Sequence, residues 1–186
     1  MSIINHGLIL ILLVIIPPLG HAMKPPKTGN VVITMQNGQP CFSYPQDKEI
    51  RKKKTYAFSY LDVLDYRHRG GWEVGLKDSF RKDLLDPNIP ATCIKYGIPN
   101  PGMKVTRTAE PLLFDIPYQV RMDVLTSWEK EGNFECNYAS DFCLTRNAKG
   151  ESILVGAEWD DKADMMKCLK PGESPKRSFW QKLFGK

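Results

Sequence analysis

The ten residues from Ile116 to Leu125, IPYQVRMDVL, carry the clearest structural pattern in this sequence. Apolar and polar side chains alternate along them. The apolar positions are Tyr118, Val120, Met122 and Val124, and the polar positions are Gln119, Arg121 and Asp123. Successive side chains of a β-strand point to opposite faces of its sheet. The alternation therefore predicts a strand with one face in the core and the other in solvent.

Similar short runs lie on both sides of this strand. Further strands are predicted over residues 31–35, 41–44, 56–64, 72–76, 92–96, 134–144 and 153–157. Asn37-Gly38 and Gly70-Gly71 supply turn residues between them. Seven or eight short strands separated by turns predict an all-β fold, an antiparallel, immunoglobulin-like β-sandwich. A small barrel is the alternative, because alternation alone does not separate the two architectures.

The first 22 residues have the plan of a secretory signal peptide. An unbroken apolar run from Leu8 to Ile16 ends at Pro17-Pro18, and small residues precede a predicted cleavage after Ala22. The run is much shorter than the roughly 20 residues that a membrane-spanning helix needs. A buried N-terminal helix is the alternative, but the two prolines would break it. We therefore expect export across the inner membrane.

These features divide the chain into four parts. We predict a signal peptide over residues 1–22, an extended leader over 23–30, the β-sandwich domain over 31–160 and a basic tail that can form a short helix over 161–186. The net charge is +5, and most of it lies in the tail. A nucleic-acid-binding protein spreads Lys and Arg over a folded face. We therefore expect no nucleic acid among the partners.

Apolar side chains of the tail recur at helical spacing, with lysines between and beyond them. They are Phe179, Trp180, Leu183 and Phe184. As a basic amphipathic helix, the tail would lie on an anionic membrane surface. As a frayed terminus, it would dock these side chains on the sandwich. Liposome binding that is equal for the full protein and a variant ending at Pro171 would exclude the membrane interpretation.

All five cysteines follow the predicted cleavage. They are Cys41, Cys93, Cys136, Cys143 and Cys168. Disulfides are the default in an oxidising compartment, and an odd count predicts two bridges and one remaining thiol. Spacing alone leaves the pairing open. No two cysteines have the Cys-x-x-Cys spacing of a zinc or thiol-exchange motif, so we expect neither kind of site.

The sequence offers little catalytic chemistry. His68, the only histidine after the predicted signal peptide, lies between two arginines in a predicted turn. No phosphate-binding glycine loop or Gly-x-Ser-x-Gly motif is present. The acidic cluster from Glu158 to Asp164 lacks the ligand order of a calcium loop. Asp62 and Asp65 are one of many coincidental carboxylate pairs. We expect no enzymatic activity, no cofactor and no metal.

An ordered set of motifs supports comparison with a known family. In chain order they are Asn37-Gly38-Gln39-Pro40-Cys41-Phe42-Ser43, Gly70-Gly71-Trp72, Cys93-Ile94-Lys95-Tyr96-Gly97, Pro117-Tyr118-Gln119-Val120 and Tyr138-Ala139-Ser140-Asp141-Phe142-Cys143-Leu144. Over most of residues 31–145, the chain resembles the type VI secretion immunity periplasmic lipoproteins of Gram-negative bacteria. The resemblance implies a periplasmic protein that binds and blocks a toxin delivered by neighbouring cells. It carries over no catalytic residue.

The resemblance also bears on the cysteines. Cys41, Cys93 and Cys143 hold family-like positions, and with Cys168 they form the expected bonded set, which leaves Cys136 spare. The chain departs from the family in one respect, because no cysteine lies beside the predicted cleavage. Nothing at that point can be lipidated. The expected product is a periplasmic protein without a lipid anchor.

As an immunity protein, the chain would cover the active site or the membrane-insertion surface of a protein toxin. Exposed turns carrying Arg67, Arg69 and Trp72 are the candidate contacts, although Trp72 fits the core of its strand better. Two other hypotheses stay open. One is an adhesion or envelope-assembly module that pairs through a strand edge such as Cys41–Tyr44, and the other is a cell-envelope hydrolase. Neighbouring toxin genes would favour immunity, and pilus or usher genes would favour assembly.

Overall fold

The described part of the chain folds into β-strands. The computed structural model describes residues 27–45, 56–67, 71–76, 93–128 and 132–175, and no helix occurs in these ranges. The strands are β1 (Lys27–Gly29), β2 (Val32–Gln36), β3 (Gln39–Ser43), β4 (Tyr56–Asp65), β5 (Gly71–Leu76), β6 (Ile94–Lys95), β7 (Met103–Arg107), β8 (Pro117–Trp128), β9 (Gly132–Arg146), β10 (Ser152–Asp160) and β11 (Met165–Cys168).

Eight strands form one large sheet. Seven of them lie in the order β11-β10-β9-β8-β4-β5-β7, and each neighbouring pair is antiparallel. β1 runs parallel to β9 and pairs with its first half, at Cys136 to Tyr138. β10 pairs with the second half of β9, so the length of β9 accommodates both neighbours along one edge.

The remaining three strands form a small sheet in the order β2-β3-β6. Asn37 and Gly38 join β2 to β3 and adopt positive φ angles of 53° and 78°, which suit a two-residue hairpin turn. β3 lies in the middle of the small sheet, since β2 pairs with one side of it and β6 with the other. The prediction that Cys41–Tyr44 is an exposed edge is therefore wrong, and β2 takes that position.

The small sheet packs on one face of the large sheet, and the core lies between them. The ring of Phe42 lies 5.7 Å from that of Phe142, and the ring of Trp72 lies 5.4 Å from that of Tyr96. Other fully buried side chains are Leu61, Val63, Val74, Val120, Met122, Val124 and Tyr138. Burial of this apolar surface is the main driving force for folding. The predicted all-β class is confirmed, with antiparallel sheets in a sandwich-like arrangement.

The side chains of β8 show which face of the large sheet lies in the core and which faces outward. The even-numbered side chains from Tyr118 to Val124 are buried against the small sheet, as the alternation predicts. β8 pairs with β4 on one side and with β9 on the other along most of its length. Partners in register share a face, so the alternation of β8 extends to both neighbours. The opposite, outer face of the sheet carries Gln119, Arg121 and Asp123.

Two disulfides fasten strands that are distant in sequence. Cys41 of β3 bonds to Cys93, which immediately precedes β6, and Cys143 of β9 bonds to Cys168 of β11. Cys136 remains a thiol and is buried in the core. The expected bonded set is confirmed, and the pairing that the sequence left open is now defined. Two disulfides indicate that the chain folds in an oxidising, extracytoplasmic compartment.

The folded domain extends beyond the predicted bounds of 31–160 at both ends. β1 lies in the predicted leader and β11 in the predicted tail, yet both pair in the large sheet. The alternation analysis also missed β7. All three are short strands at sheet margins, and β7 buries only Met103. Beyond Met103, β7 is exposed on both faces and lacks the division between core and solvent that produces alternation. β1 and β11, with three and four residues, are too short to show it.

Some predictions lie outside the described residues. They concern the signal peptide with its cleavage after Ala22, His68, Arg69, and the tail side chains Phe179, Trp180, Leu183 and Phe184. Within the ranges that the structure describes, no helix has the length and apolar character needed to cross a membrane.

Candidate functional site

The outer face of the large sheet carries a row of four charged side chains. Arg121 of β8 lies opposite Asp62 of β4. Asp62 lies opposite Glu73 of β5, which in turn lies opposite Arg107 of β7. We call these four residues the charge row. Neighbouring strands are about 4.8 Å apart, so the backbones of the two arginines are separated by roughly 14 Å.

The ion pair between Asp62 and Arg121 is the most buried contact of the charge row. Arg121 donates from Nε to Oδ1 of Asp62 at 3.0 Å and from Nη2 to Oδ2 at 2.5 Å. Asp62 is 1% exposed, whereas the Arg121 side chain is 50% exposed. Hydrogen bonding to Asp62 raises the pKa of Arg121. Arg121 thus neutralises a buried carboxylate and presents its remaining N–H groups to solvent.

The second ion pair, between Glu73 and Arg107, is looser. Nη2 of Arg107 lies 3.7 Å from Oε2 of Glu73, and the Arg107 side chain is 44% exposed. Thr106 steadies the carboxylate by donating from Oγ1 to Oε1 of Glu73 at 2.8 Å. An exposed pair at this distance contributes little to stability. Arg107 is therefore available to a ligand at low cost to the fold.

Beside the charge row, polar side chains of β8, β9 and the turn after β4 share hydrogen bonds. The hydroxyl of Tyr66 donates to Oδ1 of Asp141 at 2.8 Å. Nε2 of Gln119 donates to the Tyr66 hydroxyl at 2.9 Å and to Oδ1 of Asp141 at 3.2 Å. We call these three residues the Tyr66 triad. The contacts fix the orientation of an exposed phenol on the sheet surface.

Two phenols of the outer face keep their protons far above neutral pH. Burial, followed by the charge of Asp62, raises the pKa of Tyr60 to about 12. Burial, followed by the hydrogen bond to Asp141, also raises the pKa of Tyr66. Both side chains are therefore neutral hydrogen-bonding groups at physiological pH.

The charge row and most of the Tyr66 triad line one open groove of about 440 Å³, completed by Tyr60, Leu64 and Asp65. We call it the outer groove. The groove therefore combines charged and aromatic side chains from neighbouring strands of the large sheet.

Of the predicted contact residues, the structure places Arg67 on the surface and Trp72 in the core. Arg67 is exposed in the turn after β4, where its backbone N–H donates to Oδ1 of Asp65 at 2.6 Å. Trp72 is fully buried and packs edge-on against Tyr96. Trp72 lies on the inward phase of β5, so its prediction as a partner contact is wrong and its core role is confirmed.

The carboxylates of Asp62 and Asp65 are each held by a different donor. Asp62 accepts two hydrogen bonds from Arg121, and Asp65 accepts one from the backbone of Arg67. A retaining or inverting glycosidase needs two carboxyl groups that both face the bond to be cut. The observed contacts favour an ion pair and a turn cap over such a pair.

The acidic cluster from Glu158 to Asp164 begins at the end of β10 and continues into the turn that follows. Oδ1 of Asp160 accepts from the backbone N–H of Lys162 at 3.0 Å, and Oδ2 accepts from Nζ of Lys167 at the same distance. The hydrogen bond from Lys167 is the main cause that lowers the pKa of Asp160. Among the described residues, no three His, Cys, Asp or Glu side chains are placed to hold a metal ion.

Sequence reasoning did not find the outer groove, although it placed part of it correctly. It put Gln119 and Arg121 on the polar phase of their strand. The partners of Arg121 and Tyr66 are 59 and 75 residues away in sequence. Asp62 is the one charged residue in the sequence from 56 to 64, and it becomes informative once β4 is known to pair with β8.

No family model matches this chain, and no curated protein or solved structure matches it either.

Proposed function

We propose that this chain is a periplasmic immunity protein that neutralises a type VI secretion toxin by binding it stoichiometrically through the outer groove. The observation that carries the proposal is the charge row, flanked by the Tyr66 triad, on the surface of an eight-stranded sheet. Arg and Tyr are among the side chains that contribute most to the affinity of protein interfaces.

The outer groove is organised before any ligand arrives. Asp62 holds Arg121 with two hydrogen bonds, and Asp141 holds the hydroxyl of Tyr66. Side chains that are already ordered lose little conformational entropy on binding. The groove is therefore suited to tight binding by a rigid partner.

The exposed groups define the chemistry of the toxin surface. Arg107 and Arg121 both project half-exposed guanidinium groups above their buried or partly buried carboxylates. Guanidinium N–H groups pair best with carboxylates and carbonyl oxygens. We expect the toxin to place acceptors of this kind at both ends of the charge row.

Binding accounts for these contacts better than catalysis does. A general base needs a pKa near the working pH and a lone pair that is available to the substrate. The phenols of Tyr60 and Tyr66 have raised pKa values, and the Asp62 carboxylate is engaged by Arg121. The disulfides support extracytoplasmic folding, and the family resemblance supplies the toxin and the periplasm.

The proposal is tested by protection of cells. The gene next to this one should encode a toxin, and periplasmic co-expression should protect cells against it. Arg107→Glu, which reverses an exposed charge at one end of the charge row, should abolish protection. Arg146→Glu is the matched control, because Arg146 is exposed but stacks on Phe114, away from the outer groove. Full protection by Arg107→Glu at normal protein levels would contradict the proposal.

A second candidate function is envelope assembly through strand pairing. The position of β2 at the margin of the small sheet favours it. The two functions separate in one binding assay with the natural partner. Thr34→Lys on β2 should weaken binding if a strand pairs there, whereas Arg107→Glu should weaken binding if the outer groove is the site.

A further inference from the structure

The margin of the small sheet offers a second interaction surface, independent of the outer groove. We propose that β2 pairs with β2 of a second copy of this chain, antiparallel and with Thr34 on the two-fold axis. The pairing joins two three-stranded sheets into one continuous sheet. We call the outer side of β2 the β2 edge.

Alternating hydrogen bonds identify the backbone groups at the β2 edge. The residues that flank a two-residue hairpin turn exchange N–H and C=O bonds, so Gln36 and Gln39 form such a pair. The pattern repeats at Thr34. The backbone groups of Ile33 and Met35 therefore point away from β3. Among the described strands, none pairs with that side of β2.

Pro40 supports this assignment. It lies opposite Met35, at a position where residues of the pair exchange no hydrogen bonds, so its missing N–H leaves this ladder intact. Its carbonyl oxygen points the other way and accepts from the backbone N–H of Tyr96 at 2.9 Å. Both observations agree that the backbone groups of Thr34 and Gln36 face β3.

The composition of β2 differs from that of the other sheet margins. Residues 28–46 contain no Lys, Arg, Asp or Glu. In contrast, β7 carries Lys104 and Arg107, and β11 carries Lys167. Natural proteins place charges, lysine above all, on edge strands to prevent pairing with other chains. β2 lacks this protection and is rich in β-branched residues.

A second copy is the occupant that this composition fits. On a two-fold axis, each residue meets its own copy or a near neighbour, so a charged strand would place like charges opposite each other. Thr34 is exposed and uncharged, and Thr–Thr pairs across strands are favourable. With Thr34 on the axis, Ile33 lies opposite Met35 of the second copy. Ile33 of each copy and Met35 of the other then exchange hydrogen bonds through their backbone N–H and C=O groups.

The association should be weak, because pairing of one short strand buries less surface than a stable interface needs. Sedimentation velocity on the disulfide-intact protein, from about 1 to about 300 µM, should show monomers converting to dimers within that range. Thr34→Lys should weaken dimerisation at least ten-fold, because it places two positive charges together. Thr106→Lys makes the same change on exposed β7 and should leave dimerisation within two-fold of wild type.

A charge-swap experiment tests the axis itself. Thr34→Lys and Thr34→Glu should each be monomeric, and their equimolar mixture should dimerise at least as well as wild type. Unchanged thermal unfolding of each variant shows that the fold is intact. The proposal is overturned if wild type stays monomeric, if Thr34→Lys dimerises normally, or if the mixture fails to dimerise. Loss of toxin protection has no bearing on these outcomes.

Discussion

The outer groove and the β2 edge are two surfaces of one fold, and they offer opposite chemistry. The outer groove presents charged and aromatic side chains, and neighbours hold some of them in place, as Asp62 holds Arg121. The β2 edge presents backbone groups of an uncharged strand. Held side chains select a partner by the position of its charges, whereas an uncharged edge strand can pair with its own copy without placing like charges opposite each other. This difference agrees with the two proposals, a toxin at the groove and a second copy of the chain at the edge.

The largest expected loss of stability follows removal of the disulfide in the small sheet, which carries the β2 edge but not the outer groove. The Cys41–Cys93 bond spans 52 residues and ties β3, the partner of β2, to the start of β6. The double variant Cys41→Ala/Cys93→Ala should lose about 4 kcal/mol of unfolding free energy, because the unfolded chain regains a long loop. Guanidinium chloride unfolding measures this loss. Dimerisation through the β2 edge should weaken in the same variant.

The other disulfide supplies the control for that experiment. The Cys143–Cys168 bond spans 25 residues and ties β9 to β11 in the large sheet. Its removal should cost about 3.5 kcal/mol and leave dimerisation unchanged. A loss below about 1 kcal/mol for the Cys41–Cys93 variant, or equal dimerisation in both variants, would show that the small sheet does not depend on its disulfide.

An intermediate effect is expected within the charge row. Arg121→Ala leaves the buried Asp62 carboxylate without its cation, and we expect a loss of about 2 kcal/mol. This value is below that for a fully buried pair, because Arg121 is half exposed and water can reach the site. Arg107→Ala, at the looser pair, should cost less than about 0.5 kcal/mol.

A double-mutant cycle isolates the contribution of the Asp62–Arg121 pair. Asp62→Ala/Arg121→Ala should be less destabilised than the sum of the two single variants, because no buried charge remains. Strict additivity in denaturant unfolding would mean that the two side chains do not interact in solution.

The smallest effect concerns the outer-face phenols at alkaline pH. Burial raises the pKa of Tyr60 to about 12 in the folded protein, whereas the pKa of a tyrosine in an unfolded chain is about 10. Between these values, the unfolded chain has released the proton that the folded chain still holds, so stability should fall as the pH rises from 10 to about 12. Absorbance titration at 295 nm, compared between wild type and Tyr60→Phe, should show a phenol that ionises near pH 12. A difference signal centred near pH 10 would contradict the raised pKa.

The inner face of the large sheet was predictable from sequence, and the outer groove was not. The alternation at Tyr118 to Val124 reflects one strand's contact with the core, and a single strand is enough to reveal it. The charge row depends on how four strands align, and no local pattern encodes that register. Trp72 shows the same limit of sequence analysis. Whether it lies in the core or on the surface depends on which face of β5 it occupies, and the sequence of β5 alone does not decide this. Short margins such as β1 and β11 carry too few buried side chains to leave a pattern.

Calorimetric titration tests the proposed role of the outer groove most directly, with the product of the adjacent gene, the proposed toxin, titrated into wild type, Arg107→Ala and Arg146→Ala. We predict one toxin bound per chain and a Kd at least ten-fold weaker for Arg107→Ala, equivalent to about 1.4 kcal/mol. The Kd of Arg146→Ala should remain within two-fold of wild type. Equal affinity of all three proteins would contradict the account.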